Sequence, residues 1–413
     1  MPWVILCNGV VKLLHSADWQ LGKSFKQFGD KADELRRVRF ETLRRALQVA
    51  RDRGVDAFVI AGDLFEDNEV DEATVHSAVA VFKEFKDVPV FILPGNHDPF
   101  IGPGSVWNRP SFLAAPANVH VFRQPEVKEV GGGYLLASPL QQKNSSIDPS
   151  LKLSDLANSV PADRIRIGIT HGALAIPGKH EPNDFPIALN AASRAQLDYL
   201  AVGHWHNWLL NDDGRLLMPG TPEPDEFDQA HAGFVALIEI SQRGQSPQIE
   251  KMHVATLDWH TLDFDFLNVE AAGQQLQAAV TNWSARPNTT VLRVRMHGSA
   301  ERDVLADTRR RLDDLLKPFP FAQLQDDSSL ALSTAELDSL KGQHPILGQV
   351  LADLSQLSAL TVGTGHDFDS SEPLTPADKD RLLAAAHLDP LALEAKHFEL
   401  ARQLLLQNLQ EAQ

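Results

Sequence analysis

Residues 10–22 read VVKLLHSADWQLG, an apolar run that ends in an aspartate and a polar turn. The same pattern, a short β-branched or leucine-rich run followed by a turn with Gly, His, Asn or Asp, recurs four more times. These repeats are VDAFVIAGD (55–63), VPVFILPGN (88–96), RIRIGITHG (164–172) and YLAVGHWH (199–206). Short apolar runs bounded by turn residues predict buried strands.

The stretches between the first three strands have helical apolar spacing, at 33–53 and 71–86. The resulting β-α-β-α-β order predicts a layered α/β fold. Further along, RLLMPGTPEPDEFDQAHAGFVALIEI (215–240) reads as two strands around a loop rich in Pro, Gly and acids. We expect these two strands to form a second, more antiparallel sheet.

The sequence changes character near residue 260. A helical stretch (269–283), an alternating strand (289–298) and a charged helix (301–317) predict a small α/β module. The predicted domains are 1–262 for the main α/β domain, 263–358 for a cap module, and 359–413 for a linker with a C-terminal helical tail. The apolar stripe of that tail could dock on the body of the protein or on a partner helix.

Composition limits the classes of function. The chain has 413 residues, 43% of them hydrophobic, and a net charge of −17 from 38 Lys+Arg and 55 Asp+Glu. This charge argues against nonspecific wrapping of nucleic acid over the whole surface. It leaves room for a local basic track, since residues 23–53 hold ten Lys/Arg against five Asp/Glu, although a solvated helix face is the favoured interpretation.

Three further features predict a cytoplasmic protein that does not enter a membrane. No apolar run approaches the roughly 20 residues that span a bilayer. The opening MPWVILCNGV has no basic leader and no small-residue cleavage site. The single cysteine, Cys7, cannot form an internal disulfide, which agrees with a reducing compartment.

Polar residues that can bind a metal follow the predicted strands, where α/β sheets gather their ligand sites. They are Asp18, Asp63, Asn96, His171, His204 and His206. Carboxylate, amide and imidazole donors without a thiolate suit Mn²⁺, Fe²⁺ or Zn²⁺, with Mn²⁺ as the first choice. Each motif alone is weak, because a lone histidine is more often packed than a ligand. The motifs GDLFE, GNHD, THG and GHWH in this order are much more specific than any one of them.

The sequence resembles the calcineurin-like metallophosphoesterases, and within them the SbcD and YhaO group of DNA repair exonucleases, bacterial relatives of the nuclease subunit of double-strand-break repair complexes. The stretches that carry the resemblance are LHSADWQLGKSF, VIAGDLFED, FILPGNHDP, GITHGAL and LDYLAVGHWHNW. The resemblance implies a layered β-sandwich core flanked by helices, a small α/β cap domain and C-terminal helices.

The resemblance also implies roles for individual residues. Two divalent metal ions, most simply Mn²⁺, would be bridged by Asp63. Asp18 and His206 would complete the first site, and Asn96, His171 and His204 the second. His97 would be the catalytic histidine, with Asp98 and Glu66 as candidates to orient its ring, although either could simply close a turn. A two-metal site of this kind activates water and neutralises charge at a phosphoryl centre.

Gln20 departs from the family pattern, which usually has Asp-x-His where this chain has Asp18-Trp19-Gln20. An amide oxygen would be a weak ligand, so the first site could require high metal concentration or bound substrate. Lys23 and Lys26 are candidates for phosphate contacts, with a mobile loop as the alternative. Trp205 could stack on a base, although packing is the commoner role.

We therefore expect a metal-dependent DNA phosphodiesterase, exo- or endonucleolytic, in DNA repair or end processing. The resemblance implies an SMC-like ATPase partner of the SbcC or YhaN kind and a homodimer. One alternative is a phosphodiesterase or phosphatase that acts on a nucleotide or another small ester. A second is a weakly active or non-catalytic subunit that binds DNA or a partner. Chain length favours the nuclease over the small-ester enzyme, and the net negative charge opposes it.

Overall fold

The computed structural model describes residues 9–178, 181–266 and 269–331, together with the single positions 350, 354 and 401. The chain divides into two compact units, one ending at Trp259 and the other beginning at His260. Within the described ranges, no helix combines the length and the apolar character needed to cross a bilayer.

The first unit contains two six-stranded sheets. The first sheet has the strand order β12-β11-β1-β2-β3-β4 and the second has the order β5-β6-β7-β8-β10-β9. Their strands are β1 Val11–Ser16, β2 Ala57–Ala61, β3 Val90–Leu93, β4 Val119–Val121, β5 Glu126–Val130, β6 Gly133–Ala137, β7 Ile165–His171, β8 Tyr199–Gly203, β9 Leu209–Leu210, β10 Leu216–Met218, β11 Phe234–Ile240 and β12 Gln248–His253.

The two sheets pack face to face around one apolar core, because alternate side chains of each strand point to the same face. Leu13, Val59, Ile167 and Ala201 belong to this core. The opposite residues of the first sheet pack against α1 Ala32–Arg53, α2 Glu72–Glu84 and α3 Pro110–Leu113. The outer face of the second sheet packs against α4 Leu151–Ala157 and α5 Ala191–Arg194. The predicted layered β-sandwich flanked by helices is confirmed.

The predicted β-α-β-α-β order is confirmed as β1-α1-β2-α2-β3, whose strands pair in parallel. The expectation for 215–240 is wrong in one respect. Both strands exist, but β10 lies in the second sheet and β11 pairs antiparallel with β1 in the first. Each sheet has three parallel and two antiparallel pairings, so the second sheet is not the more antiparallel one. Strand periodicity reveals which residues are buried but not which strands are neighbours.

The second unit contains a three-stranded sheet with the order β13-β14-β15. Its elements are β13 Asp258–Asp265, α6 Val269–Trp283, β14 Thr290–Ala300, α7 Arg302–Leu316 and β15 Phe321–Leu330. Leu276, Val294 and Leu312 pack together between the sheet and the two helices. The predicted α/β module therefore exists as far as residue 331. The C-terminal helical tail and Cys7 lie outside the described residues, and the domain boundaries stay a prediction.

Candidate metal centre

The ends of five strands of the first unit meet at one edge of the sandwich. Asp18 lies just beyond β1, Asp63 beyond β2, Asn96 beyond β3 and His204 beyond β8, while His171 is the last residue of β7. Asp18, Asp63 and His171 are buried, and each offers one donor atom within 4.8 Å of the others. Three protein donors at this separation can share one cation.

The hydrogen bonds of His171 determine which ring nitrogen points into this group. Its Nδ1 lies 2.9 Å from the carbonyl oxygen of Ala61 and donates to it, because a carbonyl oxygen can only accept. Nε2 then faces Asp63 Oδ2 at 3.3 Å and Asn96 Oδ1 at 2.8 Å, which are both acceptors. Three lone pairs thus converge, and such an arrangement requires either an added proton or a metal ion.

His204 is arranged in the same way on the other side of Asn96. Its Nε2 lies 2.8 Å from Asp184 Oδ2 and donates to that carboxylate, which leaves Nδ1 facing Asn96 Oδ1 at 3.1 Å. Its backbone amide donates to Asp18 Oδ2. A carboxylate behind a histidine fixes the tautomer and the ring orientation that a metal ligand needs.

Backbone strain is concentrated at these residues. Asp18, Gln20, Asp63 and His204 have φ values of 56°, 46°, 55° and 133°, which side chains other than glycine rarely adopt. Such conformations cost of order 1–3 kcal/mol each and persist where the surrounding structure enforces them, most often at functional sites. The strain therefore marks the same loops as the converging donors.

Two glycines make room for the side chains. A Cβ on Gly62, whose φ is +100°, would lie 1.9 Å from His171 Nδ1. A Cβ on Gly95 would lie 2.1 Å from Asp63 Oδ1. Any other residue at either position would displace a predicted ligand.

One buried polar atom of this group fits a bound cation. Asp18 Oδ1 is buried and accepts no hydrogen bond from any residue that the structure describes, an arrangement that is costly unless a cation compensates it. Gln20 is 2% exposed, and its amide nitrogen donates to Asp63 Oδ2 at 3.4 Å, so the nitrogen and not the oxygen faces this carboxylate. Gln20 therefore occupies the place that the family pattern gives to a histidine ligand, and its role as a ligand stays a prediction.

The electrostatics agree with a cation site. Burial opposes charge on both Asp63 and His171, but their mutual attraction outweighs it. The pKa of Asp63 is held below its usual value by His171 and by the His97 amide, while Asp63 and Asp18 raise the pKa of His171 to about 9. Burial raises the pKa of Asp18. The pocket is negative and already favours one positive charge, the added proton on His171. A metal ion can replace that charge.

His97 lies beside this group, and its backbone amide donates to Asp63 Oδ1. Its Nδ1 donates to the backbone carbonyl of Glu66 at 2.8 Å, so Glu66 holds the ring through its main chain. The Asp98 carboxylate instead accepts from the amides of Phe65 and Gly95. The Asp98 carboxylate thus binds the backbone of its own turn, and the roles of Asp98 and Glu66 in catalysis stay predictions.

His97 and Asn96 also line a cleft of about 350 Å³. Its other lining residues are Glu66, Asp67, Lys143 and Asn144. Lys143 is exposed and lies on the loop between β6 and α4. No sequence motif pointed to this lysine, because only the fold brings its loop beside the GNHD turn.

The predicted substrate contacts have a mixed outcome. Lys23 Nζ lies 3.0 Å from Asp225 Oδ2 and is committed to an ion pair. Lys26 is exposed at the start of a short 3-10 turn. Trp205 packs against the apolar cluster outside the second sheet, which favours packing over base stacking. Contacts of these residues with substrate stay predictions.

His206 brings in residues that sequence reasoning missed. Its Nδ1 lies 3.5 Å from Asp225 Oδ1, and Asp225 is fully buried on the acid-rich loop between β10 and β11. Buried Arg39 of α1 donates to the carbonyls of Trp19 and Glu223 and so joins this loop to the loop after β1. Asp184, Asp225 and Arg39 are far from the histidines in sequence. Their spacing did not predict that they would lie near this site.

Residues 11–208 match the family model described as calcineurin-like phosphoesterase. The chain is 22% identical over 368 residues to the uncharacterized metallophosphoesterase YhaO of Bacillus subtilis, across 83% of this chain and 86% of YhaO. It is 27% identical over 236 residues to the DNA double-strand break repair protein Mre11 of Methanopyrus kandleri, across 52% of this chain and 50% of that protein. It is 22% identical over 269 residues to the SbcD component of the nuclease SbcCD of Bacillus subtilis, across 56% of this chain and 66% of that protein. The chain thus spans half the length of one of these relatives and just under two thirds of another.

Proposed function

We propose that this chain, whose residues 11–208 match the calcineurin-like phosphoesterase model, is a two-metal phosphodiesterase that cleaves DNA. The observation that carries the proposal is the convergence of polar side-chain atoms of Asp63, Asn96, His171 and His204. The match to this family supports hydrolysis of a phosphoester. DNA as substrate is the proposed part.

The proposed ligand assignment is the one that the resemblance to the family implies. Asp63 would bridge two cations, with Asp18, Gln20 and His206 at the first and Asn96, His171 and His204 at the second. Bound metals supply an activated water and stabilise the charge on the phosphate. Hard and borderline donors favour Mn²⁺ among the available divalent ions.

His97 would act on the leaving group. Because Nδ1 donates to the Glu66 carbonyl, Nε2 is the nitrogen that can exchange a proton, and the ring lines the cleft beside Asn96. A positioned imidazole of this kind can protonate the departing alkoxide oxygen of a diester, an effect worth typically 10²–10⁴-fold in rate. Lys143, on the same cleft, is available to hold a neighbouring phosphate.

DNA is proposed on the strength of the relatives. Two of them are named for DNA break repair and for nuclease activity, and the second unit supplies a separate α/β module beyond the phosphoesterase domain. An SMC-like ATPase partner, a homodimer and a role in DNA repair are further parts of the same proposal, and each depends on likeness to these relatives. A cytoplasmic location stays an expectation from the sequence.

The test is cleavage of end-labelled linear and hairpin DNA with Mn²⁺ titrated from micromolar to millimolar. We expect wild type to cut and His97→Ala to lose at least about 100-fold in rate while still binding Mn²⁺. His120→Ala is the matched control, since His120 is a half-buried histidine on strand β4 that pairs with Glu126 and should have no effect on cleavage.

The alternative substrate is a nucleotide or another small diester. The cleft of about 350 Å³ favours it, because this volume lies at the lower end of the range for small-molecule sites. Hydrolysis of bis-aryl phosphodiesters without cleavage of any DNA would support this alternative. Failure on both substrates would indicate a DNA- or partner-binding subunit instead of an enzyme.

A further inference from the structure

The side chain of Gln229 contacts His206, the second histidine of the GHWH motif. Gln229 Oε1 lies 2.9 Å from the backbone nitrogen of Asp225 and 3.3 Å from that of Glu226. Backbone N–H groups only donate, so these contacts identify the amide oxygen and leave the amide nitrogen on the other side. That nitrogen lies 2.8 Å from His206 Nδ1. Since an amide nitrogen also only donates, His206 Nδ1 accepts a hydrogen bond from Gln229.

The Asp225 carboxylate is the competing partner of the same ring nitrogen. Its Oδ1 lies 3.5 Å from His206 Nδ1, which is longer than an ordinary hydrogen bond. The same oxygen accepts from the Gln229 amide at 2.6 Å. Lys23 Nζ lies 3.0 Å from the other oxygen and favours the ionised carboxylate. The shorter contact of His206 therefore decides its tautomer, with an acceptor at Nδ1 and the ring proton on Nε2.

The two histidines of the second metal site have the opposite arrangement. His171 donates from Nδ1 to a backbone carbonyl, which leaves the lone pair of Nε2 for a metal. His204 donates from Nε2 to Asp184, which leaves the lone pair of Nδ1. The hydrogen bond on one ring nitrogen determines whether the other can bind a metal. The second site is thus prepared for an ion, whereas His206 presents an N–H group.

Gln20 adds a second N–H group to the first site. Its amide nitrogen donates to Asp63 Oδ2 at 3.4 Å. Among the described residues, the acids and histidines whose donor atoms lie within 4.8 Å of one another are Asp18, Asp63 and His171, and His206 is not in this group. The first site therefore has its carboxylates in place but has N–H groups where a metal needs lone pairs.

We propose that Gln229 is a positioning residue that keeps His206 in the tautomer unable to bind a metal, so that the second site fills first and the first site fills only after Gln229 turns away. The inference rests on the proposed metal centre. For Nε2 to bind an ion, it gives its proton to water and Nδ1 takes one from water, so the ring stays neutral. Nδ1 then donates to Asp225 Oδ1. Breaking the hydrogen bond from Gln229 lowers the affinity of the first site by about tenfold.

The first measurement is the tautomer of His206 in the metal-free wild type, from long-range proton–nitrogen NMR spectra of protein labelled at its histidine nitrogens. His206→Asn identifies the signal by its disappearance, and we expect the proton on Nε2. Gln229→Met removes the amide donor without adding charge and leaves Nδ1 with the Asp225 carboxylate, which only accepts. The proton should then move to Nδ1. A proton on Nδ1 in wild type would overturn the inference.

The second measurement is a calorimetric titration with Mn²⁺. Wild type should bind one ion tightly and a second at least about tenfold more weakly. His204→Asn should weaken the tight ion, which assigns it to the second site. Gln229→Met should bind the weaker ion about tenfold more tightly and leave the tight one unchanged. Gln48→Met is the matched control and should change neither affinity, since Gln48 is an exposed glutamine of α1 whose amide donates to Asp52.

The outcomes separate this inference from the proposed function. Equal affinities for the two ions in wild type, or an unchanged weaker affinity in Gln229→Met, would refute the inference. A wild type that binds no Mn²⁺ would remove the proposed metal centre, and two bound ions without DNA cleavage would remove only the proposed substrate. Thermal unfolding of the metal-free proteins shows whether Gln229→Met folds. If it does not, the tautomer and the two affinities of wild type decide.

Discussion

Mn²⁺ binding should expel a proton from His171, and the pH dependence of binding measures that proton. Nδ1 of His171 donates to the Ala61 carbonyl, so the second proton of the charged ring sits on Nε2, the atom that a metal would need. Burial opposes this proton, but Asp63 and Asp18 outweigh burial and raise the pKa of His171 to about 9. The metal and the proton therefore compete for one lone pair.

The size of the effect follows from that value. Below pH 9, each bound metal pair should release about one proton from His171, and the apparent affinity should fall about tenfold for each pH unit, or about 1.4 kcal/mol. Between pH 8.5 and pH 7.0 the loss is about 30-fold, or about 2 kcal/mol. In the metal-free protein the sign is reversed: the His171–Asp63 attraction stabilises the fold below pH 6.5 and is lost as the pH rises through about 9.

The assay is isothermal titration calorimetry with Mn²⁺ in two buffers of different ionisation enthalpy, at several values from pH 6.5 to pH 8.5. The slope of the heat against the buffer enthalpy counts the protons released. His171→Asn should lower the count by about one at pH 7, and His120→Asn, a half-buried histidine paired with Glu126, should leave it unchanged. The reasoning fails if wild type and His171→Asn release the same number of protons at pH 7.

Three further predictions rest on single contacts. Gly95→Ala would place a Cβ 2.1 Å from Asp63 Oδ1 and should abolish Mn²⁺ binding in calorimetry, whereas Gly104→Ala, whose nearest neighbour would be 3.7 Å away, should bind normally; equal binding would contradict the argument. Burial raises the pKa of Glu223 to about 7, so this carboxyl stays protonated to a higher pH in the folded protein than in the unfolded chain. The free energy of unfolding should therefore fall as the pH rises from about 4.5 to 7. Urea unfolding at pH 5 and 7.5 should show a smaller pH dependence in Glu223→Gln than in wild type. Arg39→Met removes a buried guanidinium with three carbonyl bonds and should cost about 3–5 kcal/mol in urea unfolding, and a loss below about 1 kcal/mol would show that these bonds contribute little.

The local spacing of apolar residues was enough to predict individual strands and helices. The apolar runs at 10–14 and 55–61 became β1 and β2, and the helical spacing at 33–53 became α1. The strands of 215–240 were found but placed in the wrong sheet arrangement, because β11 pairs with β1, more than 200 residues earlier, and strand pairing depends on partners that local sequence does not encode.

The same limit applied to the site, where residues at strand ends could be predicted and residues on irregular loops could not. Asp63, Asn96 and His171 could be singled out because each lies directly at the end of a strand, where the fold itself brings side chains together. Asp184 and Asp225 could not, since each lies on an irregular loop that meets its histidine only through tertiary structure. Both loops combine acids with prolines, a composition that is also typical of an ordinary turn.

The basic stretch at 23–53 shows why charge counting alone misleads. On α1, Arg44 pairs with Glu84 and Arg51 with Asp87, while Arg39 and Arg45 donate to backbone carbonyls. These four side chains are occupied by contacts within their own unit, and Arg39 is buried instead of lying on a solvated helix face. Affinity for a phosphate backbone would then have to come chiefly from bound metals and from unshielded lysines such as Lys143 on the cleft.

The structure around Gln20 bears on whether the first metal site is weakened or has lost its function. A position that had lost its function would be free to relax to an ordinary backbone conformation and to face solvent. Gln20 instead keeps a left-handed φ of 46°, is 2% exposed and donates from its amide nitrogen to Asp63 Oδ2 at 3.4 Å. Holding a non-glycine residue there costs of order 1–3 kcal/mol, and the acids, glycines and histidines around it remain in place. The buried, left-handed position of Gln20 is thus retained, which supports our proposal of a weakened metal site over a lost one.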